Sequence, residues 1–488
     1  MTRKFIAAFL ASVAATGTLL GAGAAVAGQA PLGADAPDIA ISHRDRVYAA
    51  EQYSNTVSVI DPASNELLGE IHLGDPQPRN LSPLYNGQVL VHGLGFAPDG
   101  KTLAVVATGS NSVSFIDTAS NTVKHTTYLG RSPHEAFYTP DGAELWVTVR
   151  GEDYISILDA RTYEEKMQLK TPSGPGMQIF SPDGAYAYVC SSFNPETKVF
   201  SIKDHQEVAT IEQASPFCPD ISASPDGTQV WFTLKDIGKT QVVEARPPFK
   251  TITTIDTGPI TNHVNFASVE GRQLAYVTIG GLNEVKVYDT ADFSQVATIP
   301  VGDLPHGLWP SGDGTRIYVG LENAAEMAVI DTASNTMIKT IPIGQAPQAV
   351  VYVPDAVPAD QPGTDNLQPL GDTGKVAHLA LAPVGENKGK TTVALFDQGL
   401  TQVLEASVTG LEPGMTYALA LSASPDGSGD LQPLATFKAN PAGASIVNAV
   451  GPIRQIVDGD HDAARRYLVI AQTTDGALGA PVQLQSAN

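Results

Sequence analysis

The chain has 488 residues, with 51 acidic against 29 basic side chains and a formal net charge of −22. This acidic balance argues against a nucleic-acid partner, because phosphate binding needs a surface rich in lysine and arginine. A chain of this length suits one large domain followed by a smaller one.

Residues 1–27 have the features of a secretory signal peptide. Arg3 and Lys4 form a basic start, an apolar stretch runs to about Ala25, and Ala25-Val-Ala27 suits signal peptidase, with cleavage after Ala30 as the alternative. No later stretch reaches the roughly 18–20 continuous apolar residues that a spanning helix needs. We therefore expect a periplasmic or secreted protein with a flexible start at 28–37 and no membrane span after signal cleavage.

One unit recurs through residues 38–355. An apolar run ends in a Pro-Asp-Gly turn and a second apolar run follows, as in His134–Gly142 and Glu144–Val149. The acidic turn residues are spaced by 42, 42, 43, 44, 43 and 42 residues, and they are Asp99, Asp141, Asp183, Asp226, Glu270, Asp313 and Asp355. A period of roughly 40–45 residues is typical of a four-stranded propeller blade. The regular spacing predicts an all-β fold with a seven-bladed β-propeller.

The ends of the repeat region predict how the ring closes. Three strands of a first blade, the second to the fourth, are expected at Val47–Ala50, Val57–Ile60 and Leu67–Leu73. The last strand, Gln348–Val353, has the pattern of a first strand, so it should pair with the N-terminal strands and remove the exposed sheet edges. The alternative closing strand is Asp38–Ser42, which would move the seam without changing the number of blades.

Several segments resemble the YVTN family of β-propeller repeats. They are Val-Ser-Val-Ile-Asp at 57–61, Ser-Pro-His at 132–134, Ser-Pro-Asp-Gly at 224–227 and Tyr-Val-Thr-Ile-Gly at 276–280. The resemblance covers roughly residues 38–355 and implies a propeller. It leaves the function open, because propellers serve in binding, in scaffolding and in many chemistries.

The two cysteines, Cys190 and Cys218, are expected to form one disulfide in an oxidising compartment. In the repeat alignment Cys190 ends the second strand of one blade and Cys218 precedes the first strand of the next. The bond would therefore link neighbouring blades. Two buried thiols or a metal thiolate are the alternatives.

Two regions depart from the repeat. The insertion 74–91 lengthens one connection between blades, and both a functional loop and a surface elaboration remain open. Beyond a linker at 356–368, residues 369–488 are expected to form a small β-sandwich of immunoglobulin or fibronectin type. Its predicted strands are Val376–Leu381, Thr391–Asp397, Leu404–Val408, Tyr417–Ala423 and Leu468–Gln472.

One position of the repeat, seven residues before each turn acid, begins the innermost strand of its blade. Radial repetition should bring these positions together at one mouth of the central channel. In chain order they are His92, His134, Gly176, Pro219, His263, His306 and Gln348. The ends of the second strands face the same mouth and supply Gln52, Arg150, Lys235 and Glu322. The predicted ligand site therefore comprises His92, His134, Arg150, Lys235, His263, His306 and Glu322.

The chemistry of this mouth has two interpretations. Neutral imidazole is a common ligand of Zn and Cu, so a divalent metal at His92, His134, His263 and His306 is one hypothesis. Hydrogen bonding of these histidines to the backbone of a neighbouring blade is the other. Two side chains, Arg150 and Lys235, would favour an anionic ligand.

Two functions stay open from the sequence. The first is an exported binding protein or scaffold for a small molecule or a protein partner. The second is a metal-dependent enzyme of lyase, lactonase or redox type that uses the same mouth. Sequence motifs do not decide between them, because Gly-x-Ser-x-Gly, His-Glu-x-x-His, Walker and Cys-x-x-Cys-His patterns are absent.

Overall fold

The computed structural model describes residues 39–74, 89–385, 388–399, 401–458 and 465–486. Seven four-stranded sheets and one eight-stranded sheet account for most of this chain, so the predicted all-β fold with seven blades is confirmed. The predicted signal peptide, residues 28–37 and most of the insertion 74–91 lie outside the described residues. Within the described ranges, no helix is both long and apolar enough to cross a membrane.

The propeller contains 28 strands, numbered here in chain order. Blade 1 combines β1–β3 with β28, and blades 2 to 7 are β4–β7, β8–β11, β12–β15, β16–β19, β20–β23 and β24–β27. The strands are β1 Arg46–Glu51, β2 Thr56–Asp61, β3 Glu66–His72, β4 Val91–Phe96, β5 Thr102–Ala107, β6 Ser112–Asp117, β7 Thr122–Tyr128, β8 Pro133–Tyr138, β9 Glu144–Val149, β10 Tyr154–Asp159, β11 Glu165–Lys170, β12 Pro175–Phe180, β13 Tyr186–Ser191, β14 Glu196–Ser201, β15 Gln206–Glu212, β16 Ile221–Ala223, β17 Gln229–Leu234, β18 Lys239–Glu244, β19 Thr251–Asp256, β20 Thr261–Val269, β21 Arg272–Ile279, β22 Glu284–Asp289, β23 Gln295–Pro300, β24 Pro305–Pro310, β25 Arg316–Leu321, β26 Glu326–Asp331, β27 Thr336–Pro342 and β28 Pro347–Val353.

The ring closes by antiparallel pairing of β28 with β1. Val47 pairs with Tyr352 and Ala49 with Val350, so the last strand of the propeller is the innermost strand of blade 1, as predicted. The alternative closing strand is wrong for its described part, because residues 39–42 lie outside any strand. Ile39 instead donates its backbone N–H to the carbonyl of Gly312 at 3.2 Å.

The segment after β28 follows the outside of the ring. Thr118 Oγ1 donates to the carbonyl of Ala356 at 2.8 Å, and Asn121 Nδ2 donates to that of Gly363 at 3.1 Å. Glu70 and Gln368 then form an isolated antiparallel bridge. These contacts lead the chain along blades 1 and 2 towards the face at which the innermost strands begin.

The C-terminal residues form a single eight-stranded sheet in the order β33-β32-β35-β36-β29-β30-β31-β34. It curls until its edge strands β33 and β34 touch, so it is nearly closed. Leu395 and Leu404 on one wall share a core with Leu419 and Ile470 on the other. The elements are a 3-10 helix at Gly371–Gly374, β29 Val376–Pro383, β30 Thr391–Asp397, β31 Gln402–Val408, β32 Thr416–Ser422, β33 Leu431–Lys438, β34 Ser445–Gly451, α1 Ile453–Asp458, β35 Tyr467–Thr474 and β36 Ala477–Gln485.

The predicted disulfide is present between Cys190 and Cys218. Cys190 lies on β13 of blade 4, Cys218 lies just before β16 of blade 5, and both are fully buried. The bond therefore links neighbouring blades at the face where the innermost strands begin, as the repeat alignment indicates.

Replacing both cysteines, Cys190→Ser with Cys218→Ser, should lower the free energy of unfolding by about 2–4 kcal/mol, because the bond restricts the unfolded chain. Urea unfolding of the oxidised protein and of the double variant measures the difference. Equal stability, or two free thiols in the mass of the unreduced protein, would contradict the assignment.

Candidate functional site at the channel mouth

A cavity of about 330 Å³ lies at the mouth of the channel. Six of the seven residues predicted for the ligand site line it, and the seventh, Glu322, contacts the lining residue Gln348. The lining residues are Gln52, His92, Thr108, Ser132, His134, Arg150, Phe217, Pro219, Lys235, His263, His306 and Gln348. Residues far apart in sequence thus converge here because each lies near the start of an innermost strand or just after a second strand.

Buried threonines on the second strands hold the inner strands in place. Thr278 Oγ1 donates to the carbonyl of His306 at 2.8 Å, and it accepts from the backbone N–H of His263 at 2.9 Å. Thr148 on β9 makes the equivalent contact with the carbonyl of Gly176 at 3.1 Å. One hydroxyl therefore fixes the inner strand of its own blade relative to that of the next blade.

The four histidines form two pairs. His92 and His134 share a hydrogen bond of 2.8 Å between their Nε2 atoms, so one ring donates and the other accepts. The ring centroids of His263 and His306 lie 4.7 Å apart. His306 Nδ1 is 2.8 Å from the backbone carbonyl of Gln348, which confirms, for this residue, hydrogen bonding to the neighbouring blade.

Burial keeps these histidines neutral. Desolvation lowers the pKa of His306 to about 3, and it lowers the pKa of His92, His134 and His263 well below the ordinary value. Neighbouring positive charges act in the same direction, Lys235 on His306 and Arg150 on His134. Each ring therefore carries a single N–H at neutral pH and keeps one lone pair.

Metal binding by the histidines stays a prediction. Across the described ranges, no group of three or more His, Cys, Asp or Glu side chains has the arrangement of a metal site. The two histidine pairs belong to blades 2 and 3 and to blades 6 and 7. Trace-metal analysis of protein purified without chelator tests whether Cu or Zn binds at His92, His134, His263 and His306.

Two cationic side chains line the cavity. The Arg150 guanidinium carbon lies 5.7 Å from the centre of the Phe193 ring and 5.5 Å from that of Phe217. Burial lowers the pKa of both Arg150 and Lys235, although Glu322 and Glu405 act in the opposite direction on Lys235. Neither cation forms an ion pair within 4.0 Å in the part of the chain that the structure describes.

Blades 4 and 5 lack a histidine at the repeat position that begins the innermost strand. Gly176 and Pro219 occupy the positions at which the other blades carry His or Gln. A Cβ atom on Gly176 would collide with Ser192 Oγ and would lie 3.0 Å from the carbonyl of Cys218. The segment around the disulfide therefore requires glycine at this position.

The C-terminal sheet covers part of the mouth. Tyr53, in the loop after β1, donates its hydroxyl to Glu405 Oε2 at 2.9 Å, and its ring lies 5.1 Å from that of Phe396. Asn448 Nδ2 also donates to Glu405 Oε2 at 2.9 Å. Further contacts join the sheet to blades 5, 6 and 7, and they involve Asp236 with Ala442, Ile260 and Leu304 with Ala444, and Gln345 with Lys375.

A pair of buried carboxyl groups lies at this contact. Glu322 of blade 7 accepts from Gln348 Nε2 at 2.6 Å through Oε1, and its other oxygen faces Glu405 of the C-terminal sheet. Burial, together with the neighbouring carboxylate, raises the pKa of Glu405, and burial raises that of Glu322. The two groups therefore share a proton above the pH range in which an exposed carboxyl group loses its own. Sequence reasoning missed Glu405, Tyr53 and Asn448, which carry no repeat signal.

Below the histidines the channel narrows. A cavity of about 30 Å³, the volume of about one water molecule, lies beside two buried acids, Glu135 and Asp220. Desolvation raises the pKa of Asp220 to about 7 and that of Glu135 well above its ordinary value. Trp309 lines this cavity too, with its ring edge-to-face against Phe96 and Phe137. The open volume thus lies at the mouth.

The described residues form a seven-bladed β-propeller, the fold that the resemblance to the YVTN repeats implies. Residues 129–235, from the end of blade 2 to the second strand of blade 5, match a family model described as Lactonase, 7-bladed beta-propeller. The matched segment includes His134, Arg150 and Lys235. Comparison with curated proteins finds no match.

Solved structures are similar in fold. Hydrazine synthase of Kuenenia stuttgartiensis is 18% identical, with a TM-score of 0.51 over 57% of this chain and 94% of that chain. A functionally unknown protein from Desulfotomaculum acetoxidans is 14% identical, with a TM-score of 0.52 over 63% of this chain and 98% of that chain. At these identities the similarity concerns the propeller fold alone.

The carboxyl pair predicts a pH-dependent stability. In the folded protein the carboxyl pair keeps its shared proton at pH values at which the carboxyl groups of the unfolded chain have lost theirs. The free energy of unfolding should therefore fall as pH rises from about 5 to 8. Glu405→Gln keeps a hydrogen-bonding partner for Glu322 and removes one ionisable group, so its decline should be shallower. Urea unfolding at both pH values measures this.

The control is Glu66→Gln at the exposed start of β3, which removes a carboxylate far from this contact. It should decline with pH as the unmodified protein does. Other buried acids, Glu51 and Asp220 among them, titrate in all three proteins. Their contributions to the pH dependence of the unfolding free energy therefore cancel in the comparison. Equal slopes for Glu405→Gln and the unmodified protein would contradict the shared proton.

Proposed function

We propose that this protein is an exported binding protein that holds a small anionic ligand, a carboxylate or a similar oxyanion, at the mouth of its propeller. The observation that carries the proposal is the presence of Arg150 and Lys235 in one enclosed cavity without an ion-pair partner among the described residues. Burying an unpaired charge costs several kcal/mol, and an anionic ligand would supply the missing partner.

The two cations differ in what they recognise. The Arg150 guanidinium is planar and lies against the rings of Phe193 and Phe217, which restrict its orientation. A guanidinium held in this way binds carboxylate oxygens in a bidentate manner. Lys235 adds a point charge from blade 5. Together they suit an anion that enters beside Phe193, whose side chain is 57% exposed at the rim.

The size of the cavity supports a small ligand. A volume of about 330 Å³ lies at the lower end of the range of roughly 300–1,000 Å³ typical of ligand sites. The C-terminal sheet covers the side formed by blades 1 and 5–7. Electrostatic attraction inside the cavity is therefore stronger than at an open surface.

Substitution of either cation should weaken anion binding roughly 10- to 100-fold, the effect of losing a hydrogen bond to a charged group. Arg150→Gln and Lys235→Met are compared with two ion-paired controls outside the cavity, the exposed Arg131→Gln and the half-buried Lys239→Met. Calorimetric titration of the full chain with butanoate measures affinity. Lys235→Met should not lower the Tm, because it removes a half-buried charge that has no ion-pair partner among the described residues. Unchanged affinity in both cavity variants would contradict the proposal.

A second candidate is hydrolysis of a lactone or ester at the same mouth, favoured by the match of residues 129–235 to the Lactonase model. A neutral histidine of the His92–His134 pair would act as general base towards water, and Arg150 would stabilise the oxyanion. A metal-dependent form of this enzyme would need Zn or Cu at the histidines.

Hydrolysis of γ-butyrolactone, followed by acid release, separates the two functions. The enzyme hypothesis predicts turnover that falls at least about 100-fold in His134→Gln, the scale of losing a general base. The exposed control His125→Gln should keep full activity. A binding protein would show no turnover in any variant while retaining affinity for butanoate, and loss of turnover with a chelator would indicate a metal.

A further inference from the structure

The donors and acceptors around the cavity are unevenly distributed. His306 Nδ1 lies 2.8 Å from the carbonyl of Gln348. A carbonyl oxygen only accepts, so Nδ1 must carry the proton, and in the neutral ring Nε2 is then an acceptor. Nε2 has no protein partner among the described residues, and the ring lines the cavity. His306 therefore offers a lone pair to whatever the cavity holds.

The neighbouring side chain of Gln348 also presents a hydrogen-bond acceptor to the cavity. Its Nε2 lies 2.6 Å from Glu322 Oε1 and 3.3 Å from the carbonyl of Ala346. Since the Ala346 carbonyl can only accept, it is the amide nitrogen of Gln348, not the amide oxygen, that faces Ala346 and Glu322. Both N–H groups of this nitrogen are then used. The amide oxygen is thus left as an acceptor, and Gln348 lines the cavity.

The other side of the mouth contains donors. Arg150 follows the second strand of blade 3 and Lys235 that of blade 5, and neither side chain can accept a hydrogen bond. In a ring of seven blades, blades 3 to 5 lie across the channel from the junction of blades 7 and 1, where His306 and Gln348 are. The cavity therefore has a cationic donor side and an uncharged acceptor side.

We infer that the ligand is a hydroxy-carboxylate, with its carboxylate at Arg150 and Lys235 and its hydroxyl donating to His306 Nε2 or to the Gln348 amide oxygen. The inference rests on the proposed function and narrows its ligand class. A plain carboxylate would satisfy the cations and leave both acceptors unpaired. An ammonium group would bring a third positive charge into a cavity that already holds two.

The test compares ligands of similar size with the full chain at pH 7. Calorimetric titration is run with butanoate, 3-hydroxybutanoate, 4-hydroxybutanoate and 4-aminobutanoate. At least one hydroxy acid should bind about tenfold more tightly than butanoate, the effect of one satisfied buried hydrogen bond. The amino acid should bind more weakly than the better hydroxy acid.

The variant His306→Phe keeps a ring and removes the acceptor. It should reduce the preference for the hydroxy acid over butanoate to about twofold or less if the hydroxyl donates to His306, and a retained preference assigns the hydroxyl to the Gln348 amide oxygen. The control is His125→Phe on the exposed strand β7, which should keep the full preference. Thermal unfolding checks both variants, and the ligand series on the unmodified protein decides the inference if His306→Phe does not fold.

The possible outcomes separate the two proposals. If butanoate and the hydroxy acids bind equally well through Arg150 and Lys235, the hydroxy-carboxylate inference is overturned and the anion site stands. Tighter binding of 4-aminobutanoate than of either hydroxy acid also overturns it. If no carboxylate binds, both the inference and the proposed function fail.

Discussion

The pairing of β28 with β1 is the contact on which the rest of the structure depends. It closes the ring, removes the two free sheet edges and makes the first strand of every blade equivalent about one axis. Closure also brings His92 and His306 to one cavity, although most of the propeller separates them in sequence. The channel mouth is thus a product of topology, and no local segment could form it alone.

The mouth is also the place where the propeller meets the C-terminal sheet. Tyr53 and Glu322 belong to the propeller, and Glu405 comes from the sheet. This contact encloses polar and charged groups that elsewhere would face water, which explains why burial dominates the pKa shifts of Lys235 and of the carboxyl pair. A site at this contact combines side chains held by the rigid propeller ring with a covering sheet whose sequence does not follow the propeller repeat.

Repetition decides which of these features can be predicted from sequence. Each histidine stands seven residues before a turn acid, so the period alone locates it at the start of an inner strand, and the same alignment locates Cys190 and Cys218. The Tyr53–Glu405 contact joins residues 352 positions apart, and no periodicity relates the two segments. The sequence therefore does not predict the part of the channel mouth at which Tyr53 contacts Glu405 of the C-terminal sheet.

The C-terminal strands themselves were predicted unevenly for a similar reason. β30 was found with the correct bounds because it is a continuous apolar run, Thr391–Asp397. β33, β34 and β36 were not found. Pro433 and Pro481 interrupt β33 and β36, and proline is disfavoured within strands. The shape of the curled sheet depends on long-range pairing, as in the contact of β32 with β35, which short sequence patterns do not contain.

The central claim is that Arg150 and Lys235 form an anion site inside the covered mouth. The most direct measurement is a crystal structure of the full chain soaked in bromide, with data collected at the bromine absorption edge. The account predicts a strong anomalous peak within the cavity, in contact with Lys235 Nζ and the Arg150 guanidinium. Peaks found only at exposed cations such as Arg131, with none in the cavity, would contradict it.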